Sequence, residues 1–122
     1  MTSDIREAQE AVCRRYGATF TPTDETYKLG MSVSAMQCEA PLNGLRHPPE
    51  SGTSGWFVWG RETLSNHPDF FKSIHVYHAQ ELCCAVLPYL GLPPRWRFLI
   101  ADGHEDVWFD EALLKPNGIG ET

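Results

Sequence analysis

Residues that could carry nucleophilic chemistry stand close together in the segment RHPPESGTSG, residues 46–55. His47 lies near Ser54, and Glu50 and later acids are available, so the segment holds the side-chain types of a hydroxyl–His–acid triad. It lacks the G-x-S-x-G turn that exposes a nucleophilic serine in many hydrolases. A small hydrolase that uses His47 and Ser54 is therefore one hypothesis. The alternative is that glycine and serine let the chain turn sharply into a strand.

A second group of chemically capable residues could bind a metal ion. His75 and His78 are three residues apart, and Cys83 and Cys84 follow one or two helical turns later. Adjacent cysteines on a helix point about 100° apart, and a closed zinc site commonly takes paired ligands from two segments. A metal-binding protein built on His75 and His78 stays open as an alternative, but we expect no metal site. Because the P-loop and dinucleotide motifs are also absent, we expect no cofactor.

Tryptophan beside acidic residues is the remaining unusual feature. Trp108 stands among Glu105, Asp106 and Asp110, and an exposed tryptophan near charge is typical of a hot spot for a protein partner. Acids beside a hairpin turn are usually solvated, so we do not expect paired catalytic carboxylates. We assign no catalytic residue. The candidate partner-binding residues are Glu105, Asp106, Trp108, Asp110, Arg46, His47 and Trp59.

Composition limits the class of protein. The 122 residues are 42% hydrophobic, which suits a single domain over residues 1–122, and we expect residues 115–122 to fray. The net charge of −6 disfavours nucleic acid and favours a basic partner. No apolar run is long enough for a membrane span, and the charged start argues against a secretory signal, so we expect a cytoplasmic protein with free, buried thiols.

Periodicity predicts the elements that position these residues. Apolar spacing predicts a helix over residues 3–16 that ends before Gly17, and a second helix from residue 74 to residue 90. Alternation predicts a strand over residues 31–36, whereas residues 41–55 are predicted to form a long loop. Residues 56–59, WFVW, are apolar on both faces and indicate a central strand.

The C-terminal run RWRFLIADGHEDVWFD predicts a β-hairpin that turns at Asp102-Gly103. A two-residue turn pairs residues whose numbers sum to 205, which places Trp96, Phe98 and their partners on one apolar face. The other face would then carry an ion pair between Arg95 and Asp110 and a cation–π contact between Arg97 and Trp108.

Three stretches of the sequence together resemble a known family. PLNGLRHPPESGTSGWFVWG, LSNHPDFFKSIHVYH and YLGLPPRWRFLIADGHEDVWFDEALL are similar to small bacterial proteins grouped with immunity protein thirty-three of polymorphic toxin systems. The similarity covers about residues 41 to 114. It implies a single-domain α+β protein. With the elements predicted above, we expect a small single domain with a mainly antiparallel sheet and a C-terminal β-hairpin packed against two helices.

The resemblance also implies a function. Such a protein binds and neutralises a cognate toxin in the cytoplasm of the cell that produces it, and no catalytic residues accompany the resemblance. We therefore expect a non-enzymatic immunity protein whose partner is a basic toxin domain, with no nucleic acid and no membrane involved. A structural or regulatory adaptor without a toxin is the remaining alternative.

Overall fold

A computed structural model describes residues 3–50, 52–61, 64–65 and 67–112 of the chain. The predicted frayed tail, residues 115–122, lies outside the described residues. Within the described part there are six strands and four helices. The strands are β1 (Lys28–Met31), β2 (Leu42–Arg46), β3 (Thr53–Trp59), β4 (Lys72–His75), β5 (Trp96–Ala101) and β6 (His104–Phe109), and the helices are α1 (Ser3–Tyr16), α2 (Val33–Met36), α3 (Val76–Leu82) and a 3-10 helix (Cys84–Tyr89).

The six strands form one sheet in the order β4-β1-β3-β2-β5-β6. The β1–β3 pair is parallel and the other four pairs are antiparallel. The helices pack on one side of this sheet, which we call the inner face, and enclose the main core around Trp56, Phe98 and Val86. The opposite side is the outer face, where Leu45 and Trp59 pack with Phe71 in a second, smaller cluster. The predicted α+β class with a C-terminal hairpin is confirmed.

Helix α1 is confirmed at both ends, since it begins at Ser3 and ends at Tyr16. Val12 is buried in the core, and Ile5 and Tyr16 pack against it, as the three- and four-residue spacing predicts. Gly17 follows with φ +72°, the left-handed conformation that lets a chain leave a helix and that glycine adopts at little cost. The helix thus lies with its apolar side on the inner face.

Two predictions in the first half of the chain are wrong. The alternating run over residues 31–36 is the end of β1 followed by α2, because the Ser32 hydroxyl accepts a hydrogen bond from the Ala35 amide at 3.2 Å and caps a helix. The predicted loop over residues 41–55 contains β2, which pairs with both β3 and β5. Gly44 in β2 makes room for Phe98, whose ring would lie 2.1 Å from an added Cβ.

The central strand is confirmed, and the second helix is corrected. Strand β3 lies between β1 and β2, with Trp56 in the main core and Trp59 in the outer cluster. The helix predicted from residue 74 begins at Val76, because Ile74 belongs to β4 and pairs with Leu29. It ends at Leu82, where the extended Cys83 separates α3 from the 3-10 helix.

The predicted hairpin register is confirmed. Trp96 pairs with Phe109, and Arg97 pairs with Trp108, so the pairing sum of 205 holds along β5 and β6. The guanidinium of Arg97 lies 5.3 Å from the centre of the Trp108 ring, as expected. The ion pair was assigned to the wrong arginine: Asp110 binds Arg97 at 3.2 Å, and the main chain of Arg95 accepts the Asp110 amide hydrogen bond.

The expectation of free, buried thiols is also wrong for three of the four cysteines. Cys38 and Cys83 form a disulfide whose two Cα atoms are 5.0 Å apart, and it joins the end of α2 to the end of α3. Cys84 is a free thiol but is exposed, whereas Cys13 is free and buried. Sequence spacing could not indicate this pair, because its members are 45 positions apart.

Candidate partner-binding surface

The outer face carries a row of residues that crosses all six strands. Pairing between neighbouring strands places these residues side by side: Ser73, Gly30, Phe57, Leu45, Arg97 and Trp108. Side chains alternate between the two faces of a strand, so the members of such a row share one face. Neighbouring strands lie about 4.8 Å apart, and Phe57 is therefore about 14 Å from Trp108. Features at either end of the row therefore lie on the same side of the sheet.

One end of the row forms a charged and aromatic surface that we call the hairpin patch. Its members are Arg97, His104, Asp106, Trp108 and Asp110. Trp108 is 38% exposed, although the Arg97 guanidinium lies against its ring. Arg97 is held in turn by Asp110, and the His104 ring lies 2.9 Å from the Asp106 carboxylate. An exposed tryptophan held on a sheet by its neighbours offers a large contact area at low entropy cost.

Glu105 does not share this surface. It lies on the inner face, where its carboxylate accepts hydrogen bonds from the hydroxyls of Tyr16 and Tyr89, both at 2.6 Å, and from Arg15 at 2.9 Å. Burial favours the protonated form of Glu105, but these hydrogen bonds and the Arg15 charge outweigh burial and lower the pKa of the carboxyl. The side chain ties the hairpin to α1 and to the 3-10 helix.

Arg46 also lies on the inner face and is 2% exposed. Its guanidinium donates hydrogen bonds to the carbonyl oxygens of Ser54 at 2.9 Å, Thr21 at 2.9 Å and Leu92 at 2.7 Å. The group also lies 5.7 Å from the centre of the Trp56 ring. Burial lowers the pKa of Arg46 to about 10. The sequence does not show which face of each strand the helices cover, so it could not indicate that Arg46 and Glu105 lie on the covered face.

His47 and Trp59 lie on the outer face, but both are buried. Trp59 packs with Leu45, and its ring lies 6.4 Å from that of Phe71. His47 is 5% exposed and makes an edge contact with Phe57 at 5.7 Å between ring centres. Burial lowers the pKa of His47 to about 4, so the imidazole is neutral at pH 7.

The structure does not bring His47 and Ser54 together as a catalytic pair. The Ser54 hydroxyl donates to the carbonyl oxygen of Lys28 at 2.9 Å and accepts from the Trp56 amide at 3.2 Å. Neither ring nitrogen of His47 has a hydrogen-bond partner among the described residues, so the two side chains are not bonded to each other. Ser54 thus fixes the start of β3 against β1.

His75 and His78 meet at a ring-centre distance of 6.0 Å, and Tyr77 stacks on His75. Cys83, which the metal hypothesis would add, is bonded to Cys38. Among residues 3–112, apart from the four that the structure leaves out, no group of three His, Cys, Asp or Glu side chains is placed to hold a metal ion. The ring contacts of the two histidines are with each other and with Tyr77, around the start of α3.

A model of the Imm33-like domain matches residues 8–110 of the chain. The chain belongs to the Imm33-like family. The match begins well before the stretches that carry the sequence resemblance, because it includes most of α1. No curated protein and no solved structure matches the chain. None of the helices in the described part of this Imm33-like domain has the length and apolar character of a membrane span.

Proposed function

We propose that this Imm33-like protein is a non-enzymatic immunity protein that binds and neutralises a cognate bacterial toxin in the cytoplasm of the producing cell. Membership of the Imm33-like family is the observation that carries the proposal. Among the described residues, the Ser54 hydroxyl bonds the main chain of Lys28 and Trp56 and makes no hydrogen bond to His47. The side chains that sequence reasoning offered for chemistry instead hold main-chain or aromatic contacts.

The proposed contact surface is the outer face of the sheet, centred on the hairpin patch. Support comes from the exposed ring of Trp108 and from the acids on either side of it, Asp106 and Asp110. Trp59 and Leu45 lie beneath the same face and give it a packed base. A sheet surface supported in this way loses little conformational freedom when a partner binds, which favours affinity.

Charge supports a basic toxin domain as the partner. The chain has 16 acidic and 10 basic residues, which gives the net charge of −6. An acidic protein attracts a basic partner over several ångströms and repels the phosphates of nucleic acid, so encounter with a basic protein is faster. We expect the association rate to fall as the salt concentration rises.

A matched pair of double variants tests the surface. The protein is co-expressed with the product of the adjacent toxin gene, and the affinity of the purified complex is measured. We expect Asp106→Lys with Trp108→Ala to weaken binding by about 30-fold or more, the effect of losing a hot spot of about 2 kcal/mol. The control is Glu81→Lys with Tyr77→Ala on α3, since Tyr77 is 40% exposed, close to the value for Trp108.

The outcome separates the surface from the function. Equal loss in both double variants, or wild-type affinity in the hairpin variant, rules out the hairpin patch as the contact. Failure of the wild-type protein to bind or protect against the toxin contradicts the immunity function itself. Circular dichroism of both variants confirms that each remains folded.

A further inference from the structure

A cavity of about 280 Å³ lies on the outer face where β1, β3 and the loop between β2 and β3 meet. Its walls are mainly aromatic and aliphatic, with charged groups of both signs. The residues that matter for its chemistry are Lys28, Gly30, His47, Glu50, Phe57 and Phe71. The cavity was not predictable from the sequence, because β1 and β4 bring its walls together and neither strand was predicted correctly.

An irregularity in the sheet opens this cavity. Lys28 pairs with Thr53 while Gly30 pairs with Phe57, so β3 uses four residue steps where β1 uses two. Extra residues of this kind bend a strand and interrupt its pairing. Gly30 then lets the aromatic wall close in: a Cβ at this position would lie 2.8 Å from the Phe57 ring and 3.2 Å from Phe71. The absence of a side chain at Gly30 therefore lets the Phe57 ring lie directly against β1.

His47 lines the cavity with an unused hydrogen-bonding capacity. Among the described residues, neither Nδ1 nor Nε2 of His47 has a hydrogen-bond partner. A neutral imidazole offers one donor and one acceptor, and leaving such a buried group unpaired is costly. Buried polar groups in proteins are nearly always paired, so the unpaired imidazole points to a missing partner. Both nitrogens are enclosed in the free protein, so the ring must turn toward the cavity before a ligand pairs with it.

We propose that this cavity receives one aromatic side chain of the partner protein, of the tyrosine type, whose polar group pairs with His47. The proposal rests on the proposed immunity function and adds the chemistry of the toxin residue that anchors the complex. It makes the outer face a two-point surface, with Trp108 at one end and a receiving cavity near the other.

Size favours a single ring as the occupant. A cavity of about 150 Å³ is enough to bind benzene, and pockets for drug-sized ligands start at about 300 Å³. The volume of about 280 Å³ lies between the two and suits one substituted ring with its linking carbon. The Phe57 and Phe71 rings offer the edge and face contacts that aromatic pairs prefer.

Position favours a partner's side chain over a free small molecule. Phe57 in the cavity wall and Trp108 in the hairpin patch lie on one strand-crossing row, about 14 Å apart. A standard protein interface buries about 800 Å² on each partner, which is wide enough to cover both. Tyrosine and tryptophan are also the residues most enriched among interface anchors.

The cavity is tested first with two probes, 4-methylphenol and toluene, which differ by the hydroxyl group. NMR titration of the whole protein follows the amide signals of Gly30, Thr53 and Phe57. We expect both probes to shift these signals and 4-methylphenol to bind about fivefold more tightly, the effect of one net hydrogen bond. Absence of shifts at these residues, or equal binding of the two probes, overturns the proposal.

A histidine variant tests the role of His47. The change His47→Phe keeps a ring against Phe57 but removes both nitrogens, and we expect it to abolish the preference for 4-methylphenol while leaving toluene binding. The control His78→Phe makes the same chemical change at an exposed site on α3 and is expected to retain the fivefold preference. An unchanged preference in the His47 variant contradicts the proposed pairing.

The toxin complex tests the occupant. When the toxin binds, we expect 4-methylphenol to be excluded from the cavity, and the His47→Phe variant to bind the toxin less tightly than His78→Phe does. A toxin complex that still admits 4-methylphenol shows that the cavity is not the anchor site, while the immunity function stands. If the toxin does not bind at all, the proposed function fails, whatever the probes do.

Discussion

Replacing Arg46 with methionine tests whether this buried cation holds the fold together. Its guanidinium joins three carbonyl oxygens that belong to separate parts of the chain: Ser54 in β3, Thr21 after α1 and Leu92 after the 3-10 helix. Methionine keeps an unbranched apolar stem of similar length, so Arg46→Met removes the donors and leaves the packing nearly intact.

The expected loss follows from two opposing terms. A hydrogen bond to a charged group contributes about 1.5–3 kcal/mol, so three of them contribute roughly 5–9 kcal/mol. Burial lowers the pKa of Arg46 to about 10, and this represents an uncompensated cost of about 3 kcal/mol for the charge. We therefore expect Arg46→Met to lower the free energy of unfolding by about 2–6 kcal/mol, a large share of the roughly 5–15 kcal/mol of a typical domain.

Urea unfolding followed by tryptophan fluorescence and circular dichroism measures this loss. The control is Arg14→Met, which removes an exposed arginine from α1 and is expected to change stability by less than about 0.5 kcal/mol. Equal stability of the two variants would refute the reasoning, because it would mean that the carbonyl groups find other partners or that the charge costs as much as it contributes. If Arg46→Met instead changed the affinity for the toxin without changing stability, Arg46 would belong to the contact surface.

Three further measurements probe the buried polar groups and the disulfide. The pKa of His47 is lowered to about 4, so the unfolded chain takes up a proton at a higher pH than the folded protein does. The unfolding free energy should therefore fall by up to about 3 kcal/mol as the pH drops from about 6.5 to 4. His47→Phe should remove most of this pH dependence. The pKa of Glu105 is also lowered, so its ionised carboxylate stabilises the fold above the unfolded pKa of about 4.3, and this stability is lost as the pH falls below that value. Glu105→Gln should lower the unfolding free energy by about 1–3 kcal/mol at pH 7 and remove this loss of stability in acid. The same loss in the variant would contradict the role given to Glu105. Reducing the Cys38–Cys83 disulfide, which closes a loop with a sequence separation of 45, should lower the unfolding free energy by at most about 4 kcal/mol in urea titrations with and without dithiothreitol, and matching curves would show that the bond does not stabilise the fold.

The spacing of apolar residues predicted the elements in which that spacing repeats several times. Helix α1 has apolar residues at helical spacing, of which Ile5, Val12 and Tyr16 contact the core, and the β5–β6 hairpin shows matched alternation around a favoured turn. In both cases burial of one side selects a single arrangement, so the sequence specifies the boundaries or the register. The exposed position of Trp108 followed directly from that register.

Elements defined by distant partners could not be predicted in the same way. Strand β2 lies in a segment that was predicted to be a loop, and only the approach of Phe98 explains its Gly44. Strand β4 has four residues, too few for periodicity, and exists because it pairs with β1. The cavity and the disulfide depend on such long-range pairing, which is why the sequence did not indicate either one.

Polar side chains on the two faces of the sheet differ in how many of their hydrogen bonds are made. On the inner face, Arg46 and Glu105 each make several hydrogen bonds to distant parts of the chain. The buried side-chain atoms that lack a partner among the described residues are both ring nitrogens of His47 and Nε of Arg97, and both residues lie on the outer face.

A sheet that only needed stability would gain from replacing such groups with apolar ones, because an unpaired buried polar atom costs about 1–3 kcal/mol. The unpaired atoms instead lie on the same face as the exposed ring of Trp108 and the cavity beside Phe57. A partner that supplies the missing hydrogen bonds would remove this cost, whereas a partner that cannot supply them would leave it in the complex. The unpaired groups would then favour the first partner over the second. The stability variants Arg46→Met and Glu105→Gln should thus leave toxin specificity unchanged, whereas His47→Phe should stabilise the free protein and weaken the complex.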